Sequence, residues 1–149
     1  ERFWMYSEDV DLCKRATKEG GKVALLQNIA VVHNHGGSSR INPITSALTK
    51  SEVYISRHVY ISQHFAKPTL ALVQCVLGIK SWLKTGLISL LSLLAFNHPK
   101  AQVSRRLFAN LTQYYIHAIK NKTWLSPRSI LYKNKLDADW ENDRVAPTY

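Results

Sequence analysis

Apolar positions recur at a helical period over residues 9–20, which predicts a helix with Leu12, Cys13 and Ala16 inward and Lys14, Arg15 and Lys18 outward. Gly20-Gly21 then supplies a C-terminal glycine stop. The pattern next shortens to β-prone runs. Lys22 to Leu26 reads as a strand, Gln27-Asn28 as a turn, and Ile29 to Val32 as a second strand. His33 to Pro43 is a polar loop containing glycine and serine. The order helix, strand, strand, loop is α/β material. Thr45 to Phe65 reads as a helix with Val53, Tyr54, His58, Ile61 and Phe65 roughly aligned, and Pro68 marks its end.

Leu70 to Phe96 is strongly apolar but broken by Lys80, Lys84 and Gly86. A bilayer-spanning helix needs about 20 apolar residues, and each lysine near its centre costs roughly 3 kcal/mol. The uninterrupted run from Gly86 to Phe96 is too short to span alone. Such a helix suits the membrane interface, with Trp82 at headgroup depth and the lysines snorkelling to phosphates. Asn97-His98-Pro99 breaks the pattern. Residues 103–120 form another amphipathic helix with Leu107, Leu111, Tyr114, Tyr115 and Ala118 on one side. A helical hairpin packed on itself is the competing reading of this pair. Residues after Thr123 read as irregular, with no chemistry assigned.

Charge sharpens this picture. The net charge is +10, and from Val53 to Leu136 there is no Asp or Glu among 12 Lys and Arg. A long acid-free basic block implies an anionic partner: phospholipid, polyphosphate or nucleic acid. Aromatics interleaved with the basic residues (Tyr114, Tyr115, Trp124, Tyr132) leave room for nucleic acid, but the leucine-rich run at 86–96 makes it the less favoured choice. Cys13 and Cys75 suggest neither a disulfide framework nor a zinc site, which fits a reduced, cytosolic setting. The chain opens inside a motif without an initiator Met, so it is expected to be the C-terminal part of a longer protein.

That motif concentrates the candidate chemistry. Glu8, Asp9 and Asp11 sit in an aromatic and apolar frame at the start of the first helix. Carboxylates against apolar walls are usually paired, liganded or chemically employed. A partly desolvated carboxylate can take a proton from a hydroxyl nucleophile. The alternative is a helix N-terminus, with Ser7 as N-cap and acids in the first turn opposing the macrodipole.

Tyr6-Ser7-Glu8-Asp9-Val10-Asp11-Leu12-Cys13-Lys14-Arg15 resembles the Glu-Asp-x-Asp-Leu-x-x-Arg signature of family 2 glycosyltransferases. Val31-Val32-His33-Asn34-His35-Gly36-Gly37-Ser38 is similar to a second stretch of the rhamnosyltransferase-like and galactofuranosyltransferase-like branch. The resemblance covers roughly residues 1–65. It implies that residues 1–44 end a GT-A (Rossmann-like) α/β catalytic domain, that 45–122 form a basic, helical, membrane-associating region, and that 123–149 form a tail. It implies an inverting transfer of a sugar, such as rhamnose, from a nucleotide-sugar donor to a glycan or polyprenyl-linked acceptor in cell-surface polysaccharide synthesis. The setting would be the cytoplasmic face of the membrane, peripheral or monotopic. By position, Asp9 would be the general base, and Glu8 would tune it or hold the acceptor sugar. Asp11 would bind acceptor hydroxyls or cap the helix, and Arg15 would make a structural ion pair. His33 would ligate a divalent metal, Mg2+ or Mn2+, whose other ligands belong to a missing N-terminal half. Gly36, Gly37, Ser38 and Ser39 would approach phosphate or form a lid, and Arg57 and His58 would contact the diphosphate. Without a preceding Asp-x-Asp element, this piece alone is not expected to turn over substrate. The alternative function is a non-catalytic basic module binding anionic membrane.

Overall fold

The computed structural model describes residues 2–32, 41–95 and 97–129. They form α1 (Glu8–Lys18), α2 (Pro43–His64), α3 (Lys67–Leu91) and α4 (Pro99–Lys120), and a short 3-10 turn, Ser92–Ala95, extends α3. No strand occurs among the described residues, so the expected α/β, GT-A-type fold is not what they adopt. Residues 22–26 and 29–32 are irregular, joined by the expected turn at Gln27-Asn28. Their β-prone side chains lie in water, with Leu25 88% and Val32 92% exposed. A strand needs a neighbour for its backbone donors and acceptors. Composition cannot supply one.

Local signals set most helix limits. Asn42 caps α2 by accepting the Thr45 N–H at 2.8 Å, and Pro43 opens its first turn. The helix therefore starts two residues before the expected Thr45. It ends at His64, and Pro68 lies in the first turn of α3 rather than closing α2. His98 and Pro99 likewise start α4. Gly20 takes φ +85° after α1, the left-handed conformation that glycine adopts without a Cβ penalty.

The core comprises Ile55 and Val59 of α2 with Leu111, Tyr114 and Ala118 of α4, and Leu107, Tyr115, Trp124 and Leu125 pack around it. The expected apolar side of the last helix is this core face. On α2 the inward face is rotated from the one expected. Ile55, His58 and Val59 are buried, Val53, Tyr54 and Ile61 are half-buried, and Phe65 is exposed. α4 packs against both α2 and α3. Contacts between His58 and Gln74, and between Trp82 and Thr112, place α3 antiparallel to both neighbours.

Two polar nodes lie inside this bundle. His58 is fully buried; its Nδ1 meets Gln74 Oε1, and its Nε2 meets the Tyr115 hydroxyl at 3.1 Å. Gln74 Nε2 donates to the His58 carbonyl at 2.9 Å, and the Trp124 ring stacks on the imidazole at 5.1 Å. The second node is Glu52, whose Oε1 accepts from Arg128 Nη1 at 2.5 Å and from the Ser126 hydroxyl at 3.1 Å. The irregular segment after α4 is thus tied down by Trp124, Ser126 and Arg128. Among the described residues no buried side-chain polar atom lacks a partner.

Burial pushes the Glu52 carboxyl above its ordinary value, against the opposing pull of Arg128 and Ser126. Keeping it ionised at neutral pH therefore costs stability, and Arg128 offsets part of that cost. Arg128→Ala should destabilise the bundle by about 3 kcal/mol, the low end for a broken buried pair because the arginine side chain is 32% exposed. Glu52→Gln, which keeps a bond to Ser126, should be neutral or stabilising. Urea unfolding at neutral pH checks both. Burial outweighs the Gln74 bond and holds the His58 imidazole below its ordinary value of 6.5. Stability from neutral His58 is present above that pH and is lost as pH falls from there through the depressed value. The urea midpoint should decline below pH 6.5, and His58→Gln should flatten that decline.

Candidate functional site

The carboxylates of α1 occupy two different environments. Asp11 is 8% exposed; its Oδ2 accepts from Arg15 Nε at 2.8 Å and its Oδ1 from His64 Nε2 at 2.7 Å. Burial alone would raise its carboxyl, but the hydrogen bonds and charges of Arg15 and His64 outweigh that and hold it below the ordinary value. Asp11 is therefore the clip that fastens α1 to the C-terminal turns of α2. It neither caps the helix nor faces open solvent. Arg15 makes the expected ion pair, one helical turn away. His64 was not singled out in the sequence, because 53 residues separate it from Asp11.

Glu8 and Asp9 are exposed on the first turn. Asp9 Oδ1 accepts the N–H of Val10 at 2.8 Å, and no ion pair among the described residues holds either carboxylate. Ser7 is the N-cap residue, but its side chain caps nothing; its hydroxyl meets Ser56 on α2 at 3.3 Å. Tyr6 and Ser7 both take positive φ, 68° and 67°. Two consecutive left-handed non-glycine residues are costly and persist only where neighbours hold them. The surrounding ties are Ser7 to Ser56, Arg2 to Gln63 and the Arg128 guanidinium 5.8 Å from the Trp4 ring.

The inward side chains of α1 are not those expected. Leu12 is 58% exposed and Cys13 is exposed, while Ala16 is half-buried. α1 rests on α2 mostly through polar contacts, including Lys14 Nζ at 5.3 Å from the Tyr60 ring. Helical period identifies an apolar stripe, but here the side that turns inward is the one carrying the Asp11 hydrogen bond to His64.

The remaining candidates separate. Arg57 is exposed on α2, its guanidinium 5.8 Å from the Tyr54 ring. His58 points into the core and cannot meet a diphosphate without unpacking Trp124. His33, His35, Gly36, Gly37, Ser38 and Ser39 lie outside the described residues, as does Tyr132. Tyr114 is buried and Trp124 is stacked on His58, so neither offers a free face to a nucleic-acid base. Among the described residues no group of three His, Cys, Asp or Glu could hold a metal ion, and Asp11 is already engaged by Arg15 and His64. The described side chains thus do not compose a metal centre themselves.

Clefts open on the described bundle. One of about 490 Å³ lies between α3 and α4 against Trp82, Gly86, Leu90 and Phe108, and one of about 230 Å³ lies beside Tyr114, His117 and Arg128. Neither is lined by Glu8 or Asp9. No family model, no curated protein and no solved structure matches this chain.

Asp11→Asn should loosen α1 while sparing the α2–α4 bundle. Losing charge-assisted bonds worth about 1.5 kcal/mol should speed amide exchange in α1 about tenfold. In the unsubstituted chain the clip holds at neutral and mildly acid pH and is lost as pH falls through the depressed Asp11 value. Exchange rates for α1 and α4 amides, compared between the two proteins, provide the check.

Proposed function

We propose that this chain carries the acceptor-activating segment of an inverting glycosyltransferase that acts on a glycan or lipid-linked acceptor. The observation that carries the reading is the division among three neighbouring carboxylates. Asp11 anchors the helix, and Glu8 and Asp9 remain accessible on its first turn. The wording of residues 6–15 supports the same reading.

In this reading Asp9 accepts the proton of an acceptor hydroxyl as the hydroxyl oxygen bonds to the anomeric carbon. The bond from that carbon to the donor diphosphate breaks, and the diphosphate leaves with the electron pair, inverting the centre. Asp9 lies exposed in the first turn of α1, where an acceptor hydroxyl can reach it. Glu8, one residue away, is suited to hold an acceptor hydroxyl. A divalent metal, Mg2+ or Mn2+, would supply charge neutralisation for the leaving diphosphate when bound.

A second reading, a basic membrane-binding module without catalysis, is favoured by the exposed apolar side chains of α3. The two are separated by nucleoside diphosphate release from a panel of sugar nucleotides, using protein expressed from the full coding sequence. One donor should be consumed, and Asp9→Asn should reduce turnover by about 100-fold or more. Undiminished turnover in Asp9→Asn removes Asp9 as base, and no release with any donor removes the transferase reading.

A further inference from the structure

α3 is packed inside out. Its buried side chains are Gln74, Ser81 and Thr85, while Leu72, Val76, Ile79, Leu83, Leu87 and Leu90 are 57–67% exposed. These six recur at spacings of three and four, so they form one continuous stripe along the outer side of the helix. Contiguous exposed apolar surface of this kind marks an interaction site. Its borders are also specific. Lys80 and Lys84 are exposed along one edge. Trp82 is 42% exposed along the other, its indole N–H bonded to Thr112 at 3.0 Å.

We infer that α3 docks on an anionic lipid bilayer and lies in the plane of the interface, with the stripe among the acyl chains and Lys80 and Lys84 at the phosphates. Charge selects the occupant. Residues 53–129 contain ten Lys and Arg and no Asp or Glu. A second copy of so basic a surface would be repelled, whereas an anionic lipid surface attracts it. A tryptophan and lysines bordering an apolar stripe suit the headgroup layer, where an amphipathic ring and a snorkelling ammonium both find water.

The depth follows from the opposite side of the helix. By length and composition alone, Lys67–Ala95 could cross a membrane. However, its polar side is packed against α2 and α4, which carry Glu52, His58, Arg105 and Arg106. Crossing would take those helices into hydrocarbon or strip His58 from Gln74, leaving both buried side chains without that partner. Lying flat buries the stripe and leaves every internal hydrogen bond in place. The cleft at Gly86 and Phe108 opens beside this stripe and is almost wholly apolar, so a single lipid chain can enter it. A Cβ at Gly86 would come within 3.0 Å of the Phe108 ring, so the cleft depends on glycine there.

The test is co-sedimentation of the full chain with phosphatidylcholine vesicles, with and without phosphatidylglycerol, alongside light scattering of the free protein. Expected is a monomer that binds the anionic vesicles. Leu83→Glu with Leu87→Glu should weaken binding at least thirtyfold with unchanged circular dichroism, since both side chains are already exposed. Lys80→Ser and Lys84→Ser should each cost about fivefold, on anionic vesicles only. Trp82 fluorescence, assigned by Trp82→Phe, should be quenched by shallow rather than deep lipid quenchers. Undiminished binding by the double glutamate variant overturns the inference, as does deep quenching or a dimer that leaves vesicles unbound. Asp9→Asn should bind vesicles normally, so failure of the glycosyl-transfer reading and failure of this one are distinguishable.

Discussion

The described fold depends on how one buried imidazole is satisfied. His58 lies at the meeting point of α2, α3, α4 and the segment after α4. Each of its ring nitrogens needs a partner away from water, because an unpaired buried polar group costs as much as a strong contact provides. Gln74 supplies one partner and also bonds the His58 carbonyl, which fixes α3 in both register and rotation. Tyr115 supplies the other, and Trp124 closes the site.

The rotation of α3 has a consequence for its far side. With Gln74 turned toward His58, Ser81 and Thr85 follow it inward about two and three turns along, since they share its face. The leucines, isoleucine and valine then have no protein to cover them. A helix whose inward side is largely polar and whose outward side is apolar is poorly matched to water on that outward side and well matched to a lipid interface. The same bundle carries α1 on the last turns of α2, immediately before α3 begins, through the Asp11 clip. The accessible acids of α1 and the apolar stripe of α3 thus belong to one connected unit. This suits a reaction whose acceptor is held at a membrane.

Much of the helical region was legible in the sequence. The break at Asn97-His98-Pro99, the apolar side of α4 and the glycine stop after α1 all act through local backbone preference or helical period. The β-prone runs at 22–32 misled for a definite reason. β propensity describes fit to a pleated neighbour, and none is present among the described residues. The three acids of α1 were recognisable as a group, but their separate roles were not. The partner that commits Asp11 to structure is His64, and the pairing arises only when two helices dock. Glu52 and Arg128, 76 residues apart, escaped notice for the same reason.

By itself the sequence determined that an acid-free basic block would follow an acidic helix start, that three long helices would form from about Thr45 onward, and that the middle one of these would be rich in leucine. Those properties reside in composition, period and capping, each of which operates within a few residues along the chain. Tertiary structure decided which side of each helix is inside. Periodicity leaves that choice open when a helix carries an apolar side and a polar side that can bond. The polar partners of His58 and Asp11 drew one side of each helix inward, leaving the leucines of α3 and two acids of α1 on the surface.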